Sequence, residues 1–135
     1  MIKPFREGLF KWPLKEGEET SLIGSRCKLC QRNFFPPRNI CPFCYQEGVL
    51  EEAPLSRRGK LETYSVVRQA PPRYPVPYIV AYITLPEGLR VFSQVVDCRP
   101  EDLKIGMEME VVVKELRVNE NGDQLMGYKF RPVSN

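Results

Sequence analysis

Two Cys-x-x-Cys pairs constrain this chain more than any other feature of its sequence. Cys27 and Cys30 form the first pair, and Cys41 and Cys44 form the second. The segment between the pairs is long enough for a short hairpin that would bring the four sulfurs together. Four thiolates at the corners of a tetrahedron suit Zn²⁺, which has no geometric preference of its own and binds sulfur well. The spacing therefore predicts a structural zinc site with no open position for water or substrate.

Two other uses of the same cysteines stay open at this stage. A pair of disulfides is typical of small exported domains, but the first residues of the chain lack the apolar core of a signal peptide. A mononuclear iron site could use the same four sulfurs, yet Gln31 and Tyr45 stand where rubredoxin-type pairs usually have glycine. We therefore expect Zn²⁺ rather than iron, and a reducing, cytoplasmic compartment.

Composition narrows the classes of function. The chain has no histidine, which removes Ser–His and Cys–His catalytic pairs and the commonest general base near neutral pH. No compact set of lysine, carboxylate or tyrosine side chains replaces them, so we expect no independent enzyme and name no catalytic residue. The fifth cysteine, Cys98, is expected to be a buried small apolar side chain rather than a nucleophile. No apolar run approaches the roughly 20 residues that cross a membrane.

The first 20 residues are predicted to form a helical arm. Apolar side chains recur there at intervals of three and four, and so share one helical face: Ile2, Phe5, Leu9 and Trp12. A helix this short is marginal unless its apolar face packs against something. It either covers the chain's own ribbon and barrel or binds a partner, and the single tryptophan favours the partner.

The rest of the chain follows the pattern of a zinc ribbon over residues 21–50 and a small barrel over residues 51–135. Five runs are predicted to be strands: Lys60–Gln69, Tyr78–Leu85, Leu89–Cys98, Met109–Val118 and Gln124–Phe130. One helical turn is expected after the third run, and Asn121-Gly122 predicts a type I′ hairpin turn. The predicted fold class is mainly β: an N-terminal helix and a rubredoxin-like zinc ribbon, followed by a five-stranded OB-fold barrel, with another small barrel or sandwich as the alternative.

With these elements in place, the chain resembles a family of small proteins that have an N-terminal rubredoxin-like zinc ribbon and a C-terminal OB-fold, often encoded beside thiolase-like enzymes. In the ribbon half, the resemblance is carried by Phe5-Arg-Glu-Gly8, Arg26-Cys-x-x-Cys30, Phe35-Pro-Pro-Arg38 and Cys41-Pro-x-Cys44. In the barrel half, it is carried by Gly59-Lys-Leu-Glu-Thr-Tyr-Ser-Val66, Pro77-Tyr78, Leu85-Pro-Glu-Gly88 and Leu103-Lys-Ile-Gly106-Met107. The chain departs from the family at Gln31, where glycine is common.

The resemblance implies a non-catalytic accessory or scaffold subunit in a hetero-oligomer with a thiolase-like acyl-CoA enzyme. Within the family, the chain is similar to the small subunit of benzoylsuccinyl-CoA thiolase and to the scaffold of archaeal thiolase–synthase complexes. In such pairs the partner supplies the catalytic cysteine and histidines, and the small protein shapes the CoA-binding region or scaffolds the assembly.

Two sets of residues are candidates for these roles. Arginine forks bind phosphate oxygens in pairs, so the arginines near the ribbon–barrel junction and on the proline-rich loop are candidates for CoA or acyl-CoA: Arg57, Arg58 and Arg73. A solvated linker is the competing interpretation of Arg57 and Arg58. Partner contacts are expected on the N-terminal apolar face and on the stiff loop Ala70–Pro77, at Phe5, Leu9, Trp12 and Tyr74.

The alternative function is a single-stranded nucleic-acid-binding module. OB barrels stack bases on exposed aromatic side chains, and four are available: Tyr64, Tyr78, Tyr82 and Phe92. Acidic side chains interrupt any basic groove along the same strands and turns: Glu62, Glu87, Asp97, Glu101 and Asp102. The formal net charge of +3 is also far from the strong basic field of a typical nucleic-acid binder. The acyl-CoA role is therefore favoured.

Overall fold

A computed structural model describes residues 2–6, 8–12, 14, 19–69 and 77–133, and, at Arg117, the backbone only. The strands, in chain order, are β1 (Ile2–Pro4), β2 (Ile23–Cys27), β3 (Asn33–Phe34), β4 (Leu50–Pro54), β5 (Arg58–Val67), β6 (Tyr78–Thr84), β7 (Arg90–Val95), β8 (Glu108–Val118) and β9 (Gln124–Pro132). A 3₁₀ turn, Pro100–Asp102, follows β7, where the sequence predicts one helical turn. None of the helical structure in the described ranges is long and apolar enough to span a membrane.

Strands β5 to β9 close a barrel, which confirms the predicted five-stranded barrel. β5, β6 and β7 pair antiparallel in sequence order, and β8 pairs antiparallel with both β5 and β9. β9 then lies parallel to β7 at the Cα pair Val95–Phe130, which closes the circle. Alternate side chains of β6 point inward, so that Ile79, Ala81 and Ile83 are at most 4% exposed. This strand order is that of an OB barrel.

The N-terminal helix predicted from the sequence is wrong, because the first residues form β1. β1 pairs parallel with β9, with Ile2 opposite Gln124 and Pro4 opposite Met126, and the Phe5 N–H then donates to the Met126 carbonyl at 2.7 Å. The edge of β9 beyond its contact with β7 offers backbone groups that a strand can satisfy and a helix cannot. A helix of one or two turns is marginally stable, because forming its first turn costs free energy that so few hydrogen bonds do not recover.

The chain after β1 is built into the core rather than held out as an arm. Gly8, with φ of 84°, turns the chain, and Phe10 then forms a bridge with Leu22, which precedes β2. Leu9 is 6% exposed and Phe10 is 3% exposed, and both belong to the same apolar cluster as the barrel core. The four apolar residues assigned to one helical face therefore do not share a face, and the N-terminus joins ribbon to barrel.

The ribbon sheet has the order β3-β2-β4, and it packs against the barrel through its own apolar side chains. Leu22, just before β2, and Leu55, just after β4, lie side by side at one end of the sheet, where the Leu55 N–H donates to the Leu22 carbonyl at 2.8 Å; both are buried in the barrel core cluster. Phe35 lies edge-on to Tyr128 of β9, with ring centroids 5.6 Å apart. This end of the ribbon therefore shares the apolar core of the barrel, while Cys27, Phe34 and Cys41 form a second, smaller cluster at the cysteine turns.

The hairpin between β8 and β9 differs from the predicted type I′ turn. That turn needs positive φ at both central residues, but Gly122 has φ of 83° while Asn121 is not in the left-handed region. The Gly122 N–H donates to the Asn119 carbonyl, and the Asn119 side chain accepts from the N–H groups of Asn121 and Asp123 at 2.9 Å each. The Asn119 side chain thus replaces the second left-handed residue as the means of closing the loop.

One ion pair ties β1 to this hairpin, and it gives the first testable prediction. Lys3 Nζ lies 3.2 Å from Asp123 Oδ2, and the ammonium, followed by the Asn119 amide, lowers the pKa of the Asp123 carboxyl. A lowered native pKa adds stability above the usual aspartate range, near 3.9, and this stability is lost as the pH falls through and below that range. We expect Asp123→Asn to lower the urea midpoint at pH 7, and we expect this loss to shrink as the pH falls below the usual aspartate range. The effect should also shrink in a Lys3→Met background; an equal loss in both backgrounds would contradict the pairing.

Candidate metal centre and its surroundings

Each cysteine pair lies in a tight turn that a left-handed residue closes. Gln31 donates its backbone N–H to the Cys27 carbonyl at 2.8 Å, and Tyr45 donates to the Cys41 carbonyl at 2.8 Å. φ is 61° at Gln31 and 55° at Tyr45, in the region where glycine has no steric cost. The two departures from glycine seen in the sequence therefore retain a glycine-like backbone, and both turns keep the same form.

The four sulfurs converge on one point. All lie within 4.8 Å of one another; Cys27 Sγ is 3.8 Å from Cys44 Sγ, and Cys30 Sγ is 3.7 Å from Cys41 Sγ. Four sulfurs bound tetrahedrally at about 2.3 Å from one ion would be about 3.8 Å apart, whereas a disulfide needs about 2.0 Å. The cysteines are free thiols positioned for a metal ion, and the disulfide alternative does not fit.

The electrostatics of the cluster also favour a cation. The Cys30 N–H points to Cys27 Sγ at 3.5 Å and lowers the pKa of the Cys27 thiol to about 6. Burial raises the pKa of Cys44 to about 12, and the neighbouring sulfurs add to the rise. Four adjacent negative charges are costly in this setting unless a positive ion lies between them. The site can thus hold a divalent ion with four thiolates, and binding would displace protons.

Only one of the two adjacent phenylalanines covers the site. Phe34 is 8% exposed and clusters with Cys27 and Cys41, while Phe35 turns to the barrel. The sequence predicts that both cover the metal, and the structure corrects this for Phe35. Neighbouring side chains in extended chain point to opposite faces, so Phe34 and Phe35 cannot both cover the metal site.

The two arginines proposed for CoA have different surroundings. Arg57 donates Nε to the Thr20 carbonyl at 2.8 Å, and its Nη1 lies 2.7 Å from Glu19. It thereby holds the segment before β2 to the barrel. Arg58 is more exposed, with Nη1 3.8 Å from Glu108, and it lines an open groove of about 440 Å³. Arg73 lies outside the described residues.

The residues predicted to contact a partner are scattered. Phe5 is 43% exposed, Leu9 is buried in the core, and Trp12 is half-buried against it. Tyr74 and most of the proline-rich loop lie outside the described residues. Of the N-terminal candidates, Phe5 is therefore the one on the surface.

The candidate base-stacking residues are also separated. Tyr64 packs against the barrel core, whereas Tyr82 and Phe92 are exposed neighbours with ring centroids 5.3 Å apart. Arg90 lies over the Tyr82 ring at 4.5 Å and is bound to Glu62 at 2.7 Å. A carboxylate therefore lies beside the exposed pair Tyr82 and Phe92, where a base would have to stack.

Sequence analysis missed the apolar surface that surrounds the metal site. Leu29 and Phe43 each directly precede the second cysteine of a pair, and they are 56% and 58% exposed. Ile40 and Tyr45 are exposed beside them. The sequence does contain a signal for this surface. A large apolar residue precedes the second cysteine of both pairs, and the turns are too short to bury it.

Comparisons with known proteins agree with this architecture. Residues 14–50 match the rubredoxin-like zinc ribbon domain of ChsH2, and residues 52–114 match the C-terminal OB-fold domain of ChsH2. A DUF35 domain-containing scaffold protein of Methanocaldococcus jannaschii is 47% identical over 123 residues, which cover 87% of this chain and 86% of the relative. The benzoylsuccinyl-CoA thiolase subunit BbsA of Thauera aromatica is 40% identical over 120 residues, covering 87% and 81%.

A solved structure has the same arrangement. A chain of the Ltp2-ChsH2(DUF35) aldolase superposes with a TM-score of 0.66 at 30% identity, covering 83% of this chain and 84% of the other. Sequence and fold thus agree over both the ribbon and the barrel, and the chain belongs to the DUF35 family of ChsH2-type zinc-ribbon and OB-fold proteins.

Proposed function

We propose that this protein is a non-catalytic accessory or scaffold subunit of a thiolase-type acyl-CoA enzyme. The observation that carries the proposal is similarity over most of the chain to two kinds of relative: one is named as a scaffold protein and the other as a subunit of benzoylsuccinyl-CoA thiolase. The absence of histidine fits a role in which another polypeptide supplies the acid–base chemistry. The ion of the ribbon is proposed to be structural Zn²⁺, because four thiolates leave no open position.

The direct test is purification at native expression levels, followed by mass identification of what remains bound. We expect a thiolase-type subunit in a defined stoichiometry, and we expect its acyl-CoA turnover to depend on this chain. The chain alone should turn over no acyl-CoA, and Cys98→Ala should leave turnover of the complex nearly unchanged. A partner of another enzyme class, or a thiolase whose activity is the same without this chain, would overturn the proposal.

We further propose that the groove beside Arg58 is where CoA touches this chain in the complex. The groove has mainly apolar walls that include Leu85 and Pro86, and it has Arg58 and Lys60 as cations. Such a surface suits the pantetheine arm with a phosphate at its rim. The proposal is narrowed to Arg58 because the Nε and Nη1 groups of Arg57 already bind Thr20 and Glu19.

This narrower proposal gives the second prediction. Arg58→Ala with Lys60→Ala should weaken CoA binding by the assembled complex by roughly tenfold or more, because charge-assisted hydrogen bonds contribute about 1.5–3 kcal/mol each. Arg99→Ala is the matched control. Arg99 is an exposed arginine that also lies near carboxylates, but it follows β7 in the chain and does not line the groove. The affinity for CoA is measured by calorimetry on complexes that contain the wild-type chain, the Arg58→Ala/Lys60→Ala variant or the Arg99→Ala variant. Equal affinities in all three would place the CoA contact elsewhere.

A further inference from the structure

We propose that the metal-binding end of the ribbon is the surface with which this chain docks on its enzyme subunit. The inference rests on the proposed function and deepens it. It names the contact surface on this chain and the chemistry of the matching surface on the enzyme subunit. We call the exposed apolar side chains in and beside the two cysteine turns the knuckle surface: Leu29, Ile40, Phe43 and Tyr45.

The knuckle surface is more apolar than the fold requires. Its exposed fractions are 56% for Leu29, 47% for Ile40, 58% for Phe43 and 82% for Tyr45. The ribbon's own core is made by other residues, chiefly Phe34 and the cysteines. Concentrated apolar exposure that contributes nothing to the core is typical of an interaction site.

Side-chain and backbone contacts hold Phe43 and the two cysteine turns in place. The Phe43 ring stacks with Phe34, with centroids 6.1 Å apart, and the Arg32 guanidinium lies over the Phe43 ring, 3.7 Å from its centroid. Both turns are fixed by backbone hydrogen bonds, and a bound ion would tie them together. Ordered side chains lose little entropy on docking, and aromatic and arginine side chains are frequent anchors of interfaces. Phe43 and Arg32 have the features of such an anchor.

Charge specifies what the receiving surface must contain. Four exposed cations lie in or next to the cysteine turns along the chain, and two of them lie over the ring of Phe43 or of Phe34: Arg26, Lys28, Arg32 and Arg38. In the part of the chain that the structure describes, none of the four forms an ion pair with a carboxylate, whereas several barrel cations do, as in the pairs Lys114–Asp97 and Arg131–Glu110. Complementarity therefore calls for an apolar recess with acidic side chains at its rim, on the enzyme subunit.

The same features disfavour two other occupants. A second copy of this chain would meet the surface through a two-fold contact that brings the four cations against their own equivalents. A single-stranded nucleic acid stacks successive bases on several aromatic faces, but Leu29 and Ile40 have none and Arg32 covers one face of Phe43, so that Tyr45 is the main open aromatic side chain of the surface. An apolar recess with acidic side chains at its rim, on a protein, matches both the apolar side chains and the cations of the knuckle surface.

The test uses the full-length, metal-loaded chain and the thiolase-type subunit that co-purifies with it. Leu29→Ser with Phe43→Ser should weaken the complex by at least about 30-fold, because anchors at interface centres dominate affinity. Phe92→Ser with Tyr82→Ser is the matched control, since it removes a comparable exposed aromatic surface from the barrel and should change affinity by less than about threefold. Metal content and thermal midpoint are measured for each variant, so that a folding defect is recognised as such.

Two charge-reversal variants test the cationic component of the knuckle surface separately from its apolar component. Lys28→Glu should slow association and reduce its dependence on ionic strength, while Lys104→Glu, an exposed barrel lysine, should do neither. Lys28 lies between Cys27 and Cys30 in the first turn, so the metal content and the thermal midpoint of this variant are measured to check that its ribbon is intact.

Each outcome decides something different. If the wild-type chain binds the thiolase subunit and the knuckle variants bind it equally well, the docking surface is wrong and the accessory function stands. If the wild-type chain binds no thiolase-type subunit, the proposed function is overturned and the inference with it. Loss of self-association, or loss of binding to a single-stranded oligonucleotide, in the Leu29→Ser/Phe43→Ser variant would assign the surface to that occupant and overturn the inference.

Discussion

Cys27→Ser is expected to release the metal ion and to unfold the ribbon turns while the barrel persists. The apparent free energy of binding at a structural zinc site is about 10–16 kcal/mol, and most of it is available only to the folded ribbon. Cys27 is fully buried, and its sulfur lies within 4.8 Å of the other three. A serine oxygen there is a poor replacement for a thiolate. Metal analysis should find about one ion per wild-type chain and much less in the variant.

The structure also sets the extent of this unfolding. Leu22 and Leu55 lie in the barrel core cluster, so the ends of β2 and β4 should remain protected from hydrogen exchange while residues 28–48 lose protection. Cys98→Ser is the control, because Cys98 packs against the barrel core and is not part of the sulfur cluster. Fresh wild-type protein that contains neither zinc nor iron, or full protection of residues 28–48 in Cys27→Ser, would contradict the prediction.

Acid should have the same effect as the substitution. Only thiolates bind the ion, so protons compete with it and occupancy falls as the pH falls. The lowered pKa of Cys27, about 6, makes its thiolate available near neutral pH, whereas the raised pKa of Cys44 means that the ion must displace a proton there. Proton release on metal addition to the stripped protein, measured in weakly buffered solution, checks the direction of this coupling.

Phe130→Ala is expected to give the largest loss of stability within the barrel. Phe130 is fully buried and is the largest of the fully buried side chains in the described structure. Its backbone also closes the barrel: it is the β9 partner of Val95 in the parallel contact with β7, and its carbonyl accepts from the Val96 N–H at 2.9 Å. Removing a buried phenylalanine side chain costs about 3–5 kcal/mol, through lost apolar burial and the cavity left behind.

The matched control for this substitution is Phe92→Ala on the outside of the neighbouring strand. Phe92 is 54% exposed, so its removal should change the free energy of unfolding by at most about 1 kcal/mol. Urea unfolding followed by tyrosine fluorescence or circular dichroism measures both variants. Equal losses at the two positions would mean that the contact between β7 and β9 does not depend on the Phe130 side chain.

The sequence by itself determined the features that rest on local chemistry. The spacing of Cys27, Cys30, Cys41 and Cys44 specifies a four-sulfur cluster, because short turns leave paired cysteines few other geometries. Alternation of apolar and polar residues specified the five barrel strands, because each has one buried face. The ends of these strands and the form of the last hairpin were less certain from sequence, since side-chain contacts such as those of Asn119 are not visible in a residue pattern.

Tertiary structure alone decided what depends on partners distant in sequence. Ile2–Pro4 has a helical spacing of apolar residues nearby, yet it is a strand, because the free edge of β9 offers hydrogen bonds that outweigh a weak local preference. Phe35 could have covered the metal, but the ring of Tyr128 on the barrel receives it. Arg57 and Arg58 are adjacent in sequence and differ in role, because a strand sends neighbouring side chains to opposite faces, where Glu19 meets one and an open groove the other.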